Sequence, residues 1–137
     1  MRAGDGWGER LSSQLFEFVA AQSSERTTVH LGGEIDFAAA LEVGPKLEEL
    51  AASANEELVF DLEDVTFIDS EGLKMLLNAF QLMWRRGLGA RLDKLSDRAR
   101  RVMEMAGVAD ILVTGDLAAS RPERTPAWRI PDPGLDR

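Results

Sequence analysis

Apolar residues recur along this chain with two different periods. From residue 71 to 86, Leu73, Leu76, Leu77, Phe80, Met83 and Trp84 return every three or four positions, which places them on one face of an amphipathic helix. Arg85, Arg86 and Gly87 suit its C-terminal end. QLFEFVA at 14–20 and TTVHL at 27–31 have strand length, and the turn-like SSER between them makes a hairpin, with GGEID at 32–36 closing the second strand. AAALEVGPKLEELAA at 38–52 returns to helical spacing, with Leu41, Leu47 and Leu50 toward one side. Pro45 admits two readings: the helix proper begins near it, or the helix kinks there.

ELVFDL at 57–62 is a compact apolar run between acids, as expected of a strand covered on both faces, and EDVTFIDS follows as a loop or short extended piece. GARLDKL at 89–95 is a short strand, Ser96 caps a third helix that stops at Gly107, and ADILVTG at 109–115 supplies a last strand. The order β-β-α-β-α-β-α-β predicts an α/β fold: a single domain with a mixed β-sheet and helices packed on it. Its expected limits are 14–115. Residues 1–13 form an N-terminal tail. The tail at 116–137 holds all but one of the five prolines without apolar periodicity, and an extended or disordered segment is expected there.

A chain of 137 residues is large enough for one core without staples, and it has no cysteine, hence no disulfide, thiolate metal site or cysteine nucleophile. No run of about 18 apolar residues exists and the N-terminus lacks the apolar centre of a signal peptide, so a soluble intracellular protein is expected. The formal charge of −8 is unevenly spread: residues 14–71 hold 14 acids and 2 bases, a net of −12, whereas 72–115 hold 4 acids and 8 bases, a net of +4. The acidic half would repel phosphates, which argues against nucleic acid and favours either a basic protein surface as partner or a merely solvated acidic face.

Catalytic chemistry finds little support. His30, the one histidine, lies in a strand with no cysteine or second histidine beside it, and reads better as a solvent-facing or satisfied strand residue than as a ligand or base. Neither a G-x-S-x-G elbow nor a G-x-x-x-x-G-K-[ST] phosphate loop is present. Asp61, Glu63, Asp64, Asp69 and Glu71 cluster in sequence and raise a metal site or an acid/base set built on Asp61, Asp64 and Asp69. Asp61 at a strand end invites comparison with a receiver's phosphoacceptor, but AAQSSER stands where the acidic pair belongs and LVTGD where the lysine belongs.

FIDSEGLKML at 67–76 sets polar groups where the chain enters a helix. The hydroxyl of Ser70 can accept from a first-turn N–H as a cap worth about 1 kcal/mol, or it can be a switch. Asp69 and Glu71 complement the positive helix end, and Gly72 permits a close approach of another chain.

VFDLEDVTFIDSEGLKMLL at 59–77 resembles the signature of STAS domains, in which a strand, an acidic loop and D-S-[ST]-G-L lead into an amphipathic helix. VHLGGEID at 29–36 is similar to that family's segment ending in G-E-[LI]-D, and SDRARRVMEMAGV at 96–108 to its third helix. The resemblance covers about 14–115. Stand-alone bacterial members of this length are mostly anti-sigma factor antagonists, so it implies a cytoplasmic regulator of transcription by partner switching, without cofactor or catalysis of its own. In its unphosphorylated form such an antagonist binds an anti-sigma factor with serine kinase activity; the kinase modifies the serine after the motif aspartate, here Ser70, and a phosphoserine phosphatase reverses this. Neither direct nucleic-acid binding nor a membrane is implied. Asp36 and Asp69 fall on positions flanking the phosphorylation site, and Glu71, Gly72 and Leu73 complete the expected partner-binding set, with Phe67 as a further apolar flank.

The chain departs from the pattern at Glu71, where the family usually has Ser or Thr, and at Phe37-Ala38-Ala39, which lacks the polar residues often found after Asp36. A carboxylate beside Ser70 implies slower phosphorylation, partial mimicry of the modified state, or a partner with an extra basic residue. The competing reading is a STAS scaffold subunit of a signalling assembly or lipid-transport complex, in which Ser70 only caps a helix.

Overall fold

The structure, a computed structural model, describes residues 10–109 and 112. The elements run β1 (Arg10–Ser12), β2 (Phe16–Gln22), β3 (Arg26–Ile35), α1 (Phe37–Ser53), β4 (Glu57–Ile68), α2 (Ser70–Arg85), β5 (Ala90–Leu95) and α3 (Asp97–Ala106). The strands form one sheet in the order β1-β2-β3-β4-β5. Its first two pairings are antiparallel and its last two parallel, so the expected mixed α/β sheet is present. β1 lies in the stretch expected as tail, and pairs Leu11 with Phe18.

Because the strand order advances in one direction through two crossovers of the same hand, α1 and α2 land on the same face and pack against each other. That face is lined by alternate residues: Phe16, Phe18 and Ala20 on β2, Val29 and Leu31 on β3, Leu58, Phe60 and Leu62 on β4. Phe60 stacks on Phe80 of α2 at 5.1 Å, and Trp84 meets Phe80 edge-on at 5.5 Å. Ala99 and Met103 of α3 join the same core, so among the described residues α1, α2 and α3 cover one side.

The other side of the sheet carries no helix among the described residues, which corrects the expectation that 57–62 is covered on both faces. Val59 points there and is buried instead by its cross-strand neighbours Thr28 and Arg91. The strand is also longer than expected. Of the two readings of the segment after residue 62, loop or short extended piece, the extended one holds: residues 63–68 continue β4.

In α1 the buried residues are Ala39, Val43, Leu47 and Ala51, four apart. Leu41, expected on that side with Leu47 and Leu50, is 61% exposed. Of the two readings of Pro45, the one in which the helix begins near it does not hold: α1 begins eight residues earlier, at Phe37, and carries Pro45 inside it on the exposed side. α3 matches its expected limits: Ser96 accepts from the Ala99 N–H at 3.1 Å, and Gly107 closes it with a φ of 76°.

The strand expected at 109–115 does not form where the chain is described. Ala109 and Leu112 are helical, with the Leu112 N–H donating to the Val108 carbonyl at 3.1 Å. The rest of that segment and the tail at 116–137 lie outside the described residues.

Candidate functional site

Parallel strands β3 and β4 end level with each other, Ile35 opposite Ile68, and each runs through an aspartate into a helix. Asp36 and Asp69 have extended backbone, as an N-cap requires. Asp36 Oδ1 accepts from the Ala39 N–H at 3.0 Å. Asp69 does more: Oδ1 accepts from the Gly72 N–H at 2.9 Å, and Oδ2 accepts from the Phe37 N–H at 3.1 Å, an amide belonging to the other helix. One carboxylate thus ties both helix starts together. The Asp69 N–H completes the junction by donating to the Ile35 carbonyl at 3.3 Å.

Gly72 makes this approach feasible. A Cβ on it would collide with the Ile35 carbonyl oxygen, so only glycine lets α2 sit this close to the end of β3.

Ser70 is therefore not the cap. It is the first residue of α2, exposed, and its hydroxyl makes no hydrogen bond among the described residues. It sits beside two helix N-termini whose amide dipoles favour negative charge. Glu71 follows, half-buried, with Oε2 3.7 Å from Lys74 Nζ.

Among the residues expected to meet a partner, Ser70 and Glu71 are accessible, while Asp36 and Asp69 are half-buried and occupied as caps. Gly72 is buried and Leu73, 8% exposed, packs into the core. The surface near Ser70 is supplied instead by Phe37, which is 56% exposed, with Leu41 one turn further along α1. Phe67, 40% exposed, remains on the surface. Between α1 and α2 runs a groove of about 270 Å³ that includes Phe37, Leu41, Glu48, Glu71, Lys74 and Met75 in its lining. In the sequence Phe37 stands out only as part of a departure from the family pattern, and Leu41 is set with Leu47 and Leu50, so neither is expected at the site, although both fall out of phase with the Ala39, Val43, Leu47 spacing that marks the buried face.

The three acids weighed as an acid/base set are not gathered. Asp69 serves the helix starts, whereas Asp61 and Asp64 lie with His30 on the open face of the sheet. There His30 Nδ1 is 3.5 Å from Asp61 Oδ2, and Nε2 is 3.3 Å from Asp64 Oδ2 and 3.9 Å from Glu17 Oε1. Carboxylates from both flanking strands thus surround the imidazole, neighbours that only the register reveals. Among the described residues, no group of three or more His, Cys, Asp or Glu is arranged to hold a metal ion, and no helix is long and apolar enough to cross a membrane.

The family model of the STAS domain matches residues 17–122. The anti-sigma-B factor antagonist of Listeria monocytogenes is 34% identical over 98 residues, covering 69% of this chain and 86% of that protein. The anti-sigma-B factor antagonist of Bacillus subtilis is 32% identical over 91 residues, covering 66% and 83%. Among solved structures, an anti-sigma factor antagonist from Mycobacterium paratuberculosis matches with a TM-score of 0.62 at 24% identity, over 74% of this chain and 87% of that one. The anti-sigma factor antagonist SpoIIAA in its unphosphorylated form matches with a TM-score of 0.61 at 20% identity, over 68% and 83%. These structural likenesses establish a shared fold.

Proposed function

The chain belongs to the STAS domain family, and on that premise we propose that it is an anti-sigma factor antagonist of the bacterial cytoplasm, switched by phosphorylation of Ser70. Unphosphorylated, it binds an anti-sigma factor with serine kinase activity and so releases a sigma factor. The kinase then phosphorylates Ser70, and a phosphoserine phosphatase restores binding. The protein acts by contact, without a cofactor, a membrane or nucleic acid.

The observation that carries this reading is the setting of Ser70: an exposed hydroxyl, free of structural duty, at paired helix N-termini. A phosphate adds close to two negative charges and three acceptor oxygens. The helix ends accommodate that charge, and since Asp69 holds the caps, modification of Ser70 removes no bond on which the fold depends. A partner packed over Ser70 and Phe37 meets the new charge directly. Desolvating it without a counter-charge disfavours the complex by several kcal/mol, so switching is confined to the interface.

Glu71 sets the partner's side of the bargain. Its carboxylate next to Ser70 calls for a basic residue on the kinase, with Lys74 moderating the local charge from within the chain.

The test is calorimetric titration of the cognate anti-sigma kinase with three proteins. Ser70→Ala retains wild-type binding and accepts no phosphate, whereas Ser70→Asp binds at least tenfold more weakly. Equal binding by all three, with no phosphate on the native protein by mass spectrometry, would leave a STAS scaffold subunit as the better reading.

A further inference from the structure

Two exposed surfaces on this chain are complementary to each other. The first is the groove between α1 and α2, with Phe37, Leu41 and Met75 as its apolar part and Glu48 and Glu71 as its acids. Lys74 is the one base among its lining residues, and it lies 3.7 Å from Glu71. Such a groove fits a helix that presents an apolar side chain flanked by bases.

The second surface is α3. Arg98, Arg101 and Met105 stand at i, i+3 and i+7, on a stripe turned away from the buried Ala99 and Met103. Both arginines are exposed and form no ion pair among the described residues, and Met105 is 81% exposed. A methionine is an adaptable anchor for a shallow apolar groove.

We propose that the α3 stripe of one copy seats in the α1–α2 groove of a second copy, Met105 against Phe37 and Leu41, with Arg98 and Arg101 toward Glu48 and Glu71. Charge complementarity selects this occupant, because the acidic groove and the basic stripe belong to the same molecule. The contact is heterologous, joining different surfaces, so it does not close on a two-fold axis and repeats head to tail. One helix in one groove is a small interface with rim ion pairs, hence weak and sensitive to salt. It covers Glu71 beside Ser70, so self-association and partner binding compete. The proposal does not require Ser70 to be a switch.

Sedimentation velocity of the full chain from low to high micromolar concentration tests it. In low salt the weight-average mass rises with concentration, and about 1 M NaCl, where the screening length is about 3 Å, returns it to the monomer value. Arg98→Glu/Arg101→Glu and Glu48→Arg/Glu71→Arg each remain monomeric when alone. Mixing the two restores association, because each reversed surface then finds its opposite, and the same result shows that both variants are folded. A wild-type chain that stays monomeric at every concentration overturns the proposal, as does association that survives either reversal or a mixture that fails to associate. If the wild type stays monomeric while Glu48→Arg/Glu71→Arg loses capture by the anti-sigma kinase, the groove belongs to that partner and self-docking is likewise refuted.

Discussion

The starts of α1 and α2 are built alike and used differently. Each follows a parallel strand, each has an aspartate as N-cap, and each cap accepts an amide three residues on. Asp36, however, serves only its own helix, whereas Asp69 serves both, its second oxygen taking the Phe37 N–H. The first helical residue differs as well: α1 opens on an exposed phenylalanine, α2 on an exposed serine. Structural duty is thus concentrated in the aspartates and in Gly72, which leaves both first residues available to a partner.

The largest expected effect breaks the junction itself. Gly72→Ala drives a Cβ into the Ile35 carbonyl and is expected to cost about 3 kcal/mol, although alanine is the better helix former, and chemical denaturation would measure it. Next, Asp69→Ala removes two carboxylate–amide bonds at once and is expected to cost about 2 kcal/mol, against about 1 kcal/mol for Asp36→Ala. Equal losses for the two aspartates would remove the distinction drawn between them. The smallest effect is the most discriminating: Ser70→Ala should move stability by less than about 0.5 kcal/mol, as befits an exposed site without partners. A loss near 1 kcal/mol would restore Ser70 as a cap.

Much of this architecture could be read from the chain. The 73–84 periodicity marks α2 because its apolar residues form a single uninterrupted stripe, and Ser96 and Gly107 delimit α3 by local chemistry alone. α1 misled at Leu41 alone: alanines fill half of its buried face, so this large residue was grouped with Leu47 and Leu50 in place of the small Ala39 and Ala51. The strand expected from 109 misled at Ala109 and Leu112, the residues described there, because so short an apolar segment has no period long enough to separate strand from helix.

The candidate site was legible in part. Residue chemistry alone leaves Ser70 open between cap and switch; it is the resemblance of 59–77 to the STAS signature that points to Ser70, and the chain's relatives include anti-sigma factor antagonists. The identity of the cap was not legible. Asp69 and Ser70 are both good capping residues one position apart, and the choice depends on where β4 ends relative to Ile35. The carboxylates around His30 were hidden for the same reason, since Glu17, Asp61 and Asp64 reach it only through strand register.

The bond from Phe37 to Asp69 spans 32 positions of the chain, and this bears on what a modifying enzyme can recognise. A synthetic peptide covering 66–77 would carry the Ser70 hydroxyl with Asp69 and Glu71 around it, yet lack Phe37, Leu41 and the second helix start. Under the proposed function, a kinase packed over Ser70 and Phe37 would read two remote segments side by side, and a short linear substrate would then be a poor stand-in for the intact domain.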